Sequence, residues 1–158
     1  VSNELVVVKE VSADNNVVAG YDQFLMVRVG AQLFGIPVTN IRDVLKPIRI
    51  THIPLSKPEI IGFMNLRGRI VTVIDMRKRL ATEGADEAPK KMFVVVENEH
   101  ELYSLQVDEV GDSKTLPRAS FENNPENMPE QWKTISKGIF KLDKELMLVL
   151  DVANVIKF

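Results

Sequence analysis

An all-β fold with short helices, built as two intertwined five-stranded β-barrels related by an internal repeat, is what the sequence predicts. Three observations carry this. Apolar residues fall in short runs rich in Val and Ile, the length of single strands. Pro37, Pro47, Pro54 and Pro58 punctuate the first half and argue for short segments over any long helix. Most informative is the repeat: residues 62–80 (GFMNLRGRIVTVIDMRKRL) align without a gap over residues 138–156 (GIFKLDKELMLVLDVANVI), 76 positions later. Gly62/Gly138, Leu66/Leu142, Val73/Val149 and Asp75/Asp151 are identical. A second block, residues 34–41 (FGIPVTNI), matches residues 103–110 (YSLQVDEV) at a spacing of 69. The seven-residue difference is room for an Asn/Pro-rich loop in the second half. Sheets this small manage their edges best by closing on themselves, and a seam between two such units is a natural concave site for a partner.

Along the chain, residues 1–20 mix valines with polar residues and read as a tail, in which residues 5–8 could add an edge strand. Residues 24–29 and 32–38 form a strand pair around the Gly30-Ala31 turn. Residues 60–66 and 69–75 read as strands flanking Arg67-Gly68, and residues 76–80 as one helical turn. The polar stretch 81–91 is the linker, separating a first barrel mainly from residues 21–80 from a second mainly from residues 92–158, with strand exchange possible between them. Strands at 92–97 and 101–107 follow, then a loop at 120–131, and a last strand pair at 135–142 and 145–151.

Composition narrows the function. The 158 residues are 45% apolar and 27% charged, with a formal net charge of −2, which gives no global attraction to nucleic acid or an acidic membrane. Cysteine is absent, so thiolate chemistry and disulfides are excluded. The apolar runs are far too short to span a bilayer, and a cytoplasmic setting is expected. Phosphate-binding and dinucleotide glycine loops are missing, as are histidines at metal-ligand spacing; His52 and His100 read as surface or turn residues. Asp75 and Asp151 could be imagined as a carboxylate pair, but each follows a strand and precedes a helical turn, where Asp caps well. Arg67, Arg69, Arg77, Lys78 and Arg79 raise single-stranded nucleic acid as the alternative reading. Against it, Phe24, Phe34, Phe63, Phe93 and Tyr103 look like core, and Asp143, Lys144 and Glu145 stand where Arg67, Gly68 and Arg69 do. No catalytic residue, metal or cofactor is implied, and the chain reads as a non-enzyme.

Residues 34–38 (FGIPV), 41–45 (IRDVL) and 61–77 (IGFMNLRGRIVTVIDMR) strongly resemble the CheW family of bacterial chemotaxis coupling proteins, as do residues 103–110 and 136–156. The resemblance spans roughly residues 21–158. It implies a non-catalytic adaptor that couples the cytoplasmic tip of chemoreceptors to the regulatory domain of a CheA-type histidine kinase, recruited to receptor arrays. The protein-binding positions carried over are Val38, Ile41, Asp43, Val44, Gly62, Asn65, Leu66, Arg67 and Gly68, with Val107 and Val110 added through the repeat. For Ile41 and Val44 core packing is an equal reading. A backbone requirement explains Gly62 and Gly138 as well as binding does.

Overall fold

A computed structural model of the chain describes residues 19–47, 49–52, 57–80 and 91–157. The expected tail up to residue 18, its edge strand at 5–8 and the linker at 81–90 lie outside the described residues. The first repeat contributes β1 (Tyr21–Val29), β2 (Gln32–Pro37), β3 (Ile41–Leu45), β4 (Thr51–His52), β5 (Ile60–Leu66) and β6 (Arg69–Asp75), then helix α1 (Met76–Leu80). The second contributes β7 (Met92–Asn98), β8 (Glu101–Val107), β9 (Glu109–Pro117), helix α2 (Glu130–Ile135), β10 (Ser136–Lys141), β11 (Leu146–Leu150) and helix α3 (Val152–Val155).

These strands form two barrel-like sheets, a five-stranded one in the order β10-β11-β2-β1-β9 and a six-stranded one in the order β3-β7-β8-β6-β5-β4. The two expected barrels, mainly residues 21–80 and 92–158, are interlocked by strand exchange. The β1–β2 hairpin lies in one sheet and the rest of its repeat in the other, and the β7–β8 hairpin makes the reciprocal exchange. The stretch at 81–91 separates the repeats but not the barrels, because each hairpin finds its parallel partner in the opposite repeat: β2 beside β11 and β8 beside β6.

The registers obey the repeat residue by residue. Leu148 lies opposite Phe34, and Thr72 opposite Tyr103, so both sequence offsets hold at once. Val110 faces Val27 as Ile41 faces Val96. Asp75 N–H donates to the Glu59 carbonyl and Asp151 N–H to the Ile135 carbonyl, each at 2.8 Å. The sixth strand is the two-residue β4, whose counterpart is reduced to a single bridge between Glu122 and Ile139. Gly62 and Gly138 have one shared reason: a Cβ there would overlap the Thr51 carbonyl in the first case and Phe121 and the Glu122 carbonyl in the second.

Burial explains why the Val-rich runs lack clean alternation. The largest cluster lies between the sheets and takes Leu25, Val27, Phe34, Ile36, Val94, Val96, Leu105 and Leu148 among others. Intervening residues fill the two barrel interiors, Phe93, Val95, Val71 and Val73 in one and Phe24, Leu33, Phe140 and Met147 in the other. Strands apolar on both faces read as continuous runs. The space between the sheets is thus filled by the protein's own core. Helix α2, on the loop peculiar to the second repeat, adds Trp132, whose ring meets Phe34 edge-on at 6.1 Å and whose Nε1–H donates to the Leu80 carbonyl at 3.0 Å.

Candidate docking site

The β5–β6 hairpin ends in a two-residue turn between the paired Leu66 and Arg69. Arg67 and Gly68 have φ of 51° and 83°, the left-handed pair of the hairpin turn that suits the twist of the flanking strands. Asn65 Oδ1 accepts from Gly68 N–H at 2.9 Å and fixes the turn. From this turn the Arg67 Nη2 lies 3.0 Å from Asp43 Oδ2, with side-chain exposures of 72% and 6%. The other Asp43 oxygen accepts from Val44 N–H at 2.9 Å, whereas Oδ2 receives no aligned hydrogen bond. The contact with Arg67 is thus an ion pair, not a directed bond, and it leaves most of the guanidinium facing solvent.

Neighbouring strands bring further charge to the same end of the sheet. Arg69 Nη2 donates to the carbonyl of His100, in the left-handed Glu99-His100 turn of the β7–β8 hairpin, at 3.1 Å. Arg42 Nη1 donates to the Thr39 and Ile41 carbonyls, both at 3.2 Å, and Nη2 reaches Glu97 at 3.5 Å. Tyr103 O–H donates to Glu101 at 2.9 Å; burial, then Glu101, raises the phenol above its ordinary 10.0. Phe63 and Ile70 are exposed on the face they share with Asn65, through the cross-strand pairs Phe63–Thr72 and Asn65–Ile70.

The sequence-predicted positions divide in three. Asp43 and residues 65–68 converge at this end. Ile41, Val44 and Val107 are at most 3% exposed and belong to the inter-sheet core, where their side chains offer no surface. A register shift between Ile41 and Asp43 turns Ile41 and Val44 inward together, which a regular strand with its period of two would not do. Gly62 is buried, and Val38 is half-buried in a 3-10 turn where the chain crosses from one sheet to the other. Val107 and the half-buried Val110 occupy the equivalent crossing of the other repeat.

The basic cluster does not form a continuous stripe. Arg67 and Arg69 are engaged as above, Arg77 pairs with Asp108, and Arg79 donates to the Val155 and Asn154 carbonyls at the end of α3. Phe24, Phe34 and Phe93 are buried as expected, while Phe63 at 37% exposure corrects its reading as core. Asp75 Oδ1 accepts from Arg77 N–H at 3.0 Å and Asp151 Oδ1 from Asn154 N–H at 3.3 Å, so each caps its own helix. Among the described residues no group of three His, Cys, Asp or Glu could hold a metal ion, and no helix is long and apolar enough to cross a membrane.

The CheW-like domain model matches residues 23–158. The chain belongs to the CheW family. Among relatives, it is 25% identical over 133 residues to the probable chemotaxis protein CheW of Rhizobium etli, covering 84% of this chain and 86% of that protein. It is 25% identical over 135 residues to the chemotaxis protein CheW of Helicobacter pylori, covering 85% and 81%. The crystal structure of the scaffolding protein TtCheW from Thermoanaerobacter tengcongensis superposes with a TM-score of 0.80 over 87% of this chain and 93% of that one, at 24% identity, which shows the fold in common.

Within this CheW-family fold, two ion pairs missed by sequence reasoning tie the repeats together. Arg77 Nε lies 2.8 and 3.0 Å from the two Asp108 oxygens, and Asp108 Oδ2 also accepts from Gly30 N–H at 2.7 Å. Helix α1, the β8–β9 crossing and the β1–β2 turn thus meet at one half-buried charge pair. Arg28 holds Glu145 at 3.0 and 2.6 Å, and this bond, with the guanidinium's charge, keeps the half-buried Glu145 carboxyl below its ordinary value. Partners this distant in sequence leave no local signal.

Proposed function

We propose that this chain is a non-catalytic adaptor that couples the cytoplasmic tip of chemoreceptors to a CheA-type histidine kinase through the kinase's regulatory domain, in the cytoplasm at receptor arrays. The observation that carries the reading is the solvent-facing Arg67 turn, braced by the buried Asp43, in a chain of the CheW family. Curated relatives named as chemotaxis proteins support it. In this reading Val38 and residues 65–68 make contact, while Asp43 and Gly62 hold their geometry. Ile41, Val44 and Val107 act from within by fixing the strands, and Val110 serves the equivalent crossing. Contacts of about 600–800 Å² per partner are weak singly. In an array, linked contacts raise effective concentration and make them strong without any reaction centre.

Arg67→Glu tests this. It reverses the charge at an exposed position and sets a carboxylate against the buried Asp43, so it should sharply reduce receptor-dependent kinase activation in a chain that still folds, with a lowered thermal midpoint. Normal coupling by a folded variant refutes the assignment of this surface.

A further inference from the structure

The repeat gives the two sheets equivalent ends, and at the end of the hairpin away from the Arg67 turn they differ in chemistry. In the five-stranded sheet the chain after β9 is bonded onto that end. Arg118 Nε lies 3.0 Å from both Asp22 oxygens at the start of β1, and Ser136 Oγ, at the start of β10, donates to Asn124 Oδ1 at 2.8 Å. Beyond β11, Asn154 Nδ2 donates to the Thr134 carbonyl of α2 at 3.0 Å. Applying the offsets of 69 and 76, Asp22 corresponds to Lys91, Ser136 to Ile60 and Asn154 to Lys78. Two lysines and an isoleucine thus replace a carboxylate, a hydroxyl and an amide. In the six-stranded sheet these three residues line a cavity of about 740 Å³. Its size is that of a small-molecule site.

The lining narrows the choice of guest. Ile50, Ile61 and Phe93 line the cavity and pack in the interior cluster of the six-stranded barrel, so its floor is apolar. Lys57 and His52 join Lys78 and Lys91 in its wall. Among the described residues lining it, Asp75 is the one carboxylate, and its Oδ1 is engaged by the Arg77 and Lys78 N–H groups at the start of α1. Positive charge over an apolar floor selects a guest with a negative head and an apolar body.

We propose that this end of the six-stranded sheet binds a small anionic amphiphile, an aliphatic carboxylate in its simplest form. Its apolar body lies against Ile50, Ile61 and Phe93, and Lys78 and Lys91 hold its head. The site is about 20 Å from the Arg67 turn, the length of the β5–β6 hairpin. It therefore adds a small-molecule site to the chain, separate from the docking surface proposed above.

The test is an NMR titration of the full chain with octanoate, with 1-octanol as the uncharged control. Shifts are expected to concentrate at Ile50, Ile61, Phe93 and Gln106, the last also lining the cavity. Octanol should bind about tenfold more weakly or worse, the loss expected when a charge-assisted bond is removed. The chain with Lys78→Gln and Lys91→Gln should lose octanoate to the same degree while keeping its affinity for octanol. Shifts concentrated elsewhere, no shifts at millimolar octanoate, or equal binding of octanol and octanoate would overturn the proposal. Because no receptor or kinase is present, either result leaves the coupling reading to its own test.

Discussion

Replacing Arg77 by Met asks whether the charge pair joining the two repeats holds them together. The substitution keeps an unbranched stem in place and removes the guanidinium that spans both Asp108 oxygens at 2.8 and 3.0 Å. A wholly buried pair broken from one side costs about 3–5 kcal/mol, and an exposed pair 0–1 kcal/mol. Side-chain exposures of 17% and 12% put this pair nearer the buried limit, while the Gly30 N–H still serves the orphaned carboxylate. The expected loss is about 2–3 kcal/mol, which for a chain of this size lowers the melting midpoint by roughly 5–10 °C. Urea denaturation should show a lower midpoint at unchanged slope, and a cycle with Asp108→Asn should return a coupling of about 1 kcal/mol or more. A loss below about 0.5 kcal/mol, with additive single variants, would mean that the pair is solvated and contributes nothing to the joint.

Gly62→Ala and Gly138→Ala should each destabilise by about 1–3 kcal/mol, since the added methyl meets backbone carbonyl that cannot turn away; a neutral result at either would break their equivalence, read by the same denaturation. Trp132→Ala should cost about 2–4 kcal/mol, less than a fully buried tryptophan, through the lost contact with Phe34 and the bond to Leu80, and should quench the protein's single-tryptophan signal. Glu145 has its folded carboxyl value lowered, so its contribution is present above the ordinary value of 4.5 and lost as the pH falls through the lowered folded one. Glu145→Gln should therefore flatten that part of the acid limb of stability against pH, and an unchanged limb would count against the Arg28 pairing.

The elements legible in advance were those with local chemistry. β5 and β6 lie at residues 60–66 and 69–75 as read, because β-branched runs flank a turn that Arg67-Gly68 can close. The two aligned blocks, read as a repeat, recur in the sheets as equivalent registers. β9 escaped notice because it is an edge strand, paired only to β1 and polar along most of its length, so backbone bonds hold it without an apolar pattern. Helix α2, Glu130–Ile135, takes in the end of the expected loop at 120–131 and the first residue of the expected strand at 135–142; its short span after Pro129 leaves too little periodicity to signal a helix. At the candidate site, the turn was legible and its brace was not: Asp43 meets Arg67 only after β3 and β5 have taken opposite sides of one sheet. Ile41 and Val44, for which core packing and binding were equal readings, lie in the core because the register shift in β3 turns both inward.

Adding this chain to purified receptor fragments and a CheA-type kinase, and following kinase autophosphorylation, tests the adaptor reading most directly. The account predicts that activity rises with the chain's concentration and falls again under receptor ligand, with no turnover by the chain alone. Kinase activity indifferent to saturating amounts of the folded chain would contradict it.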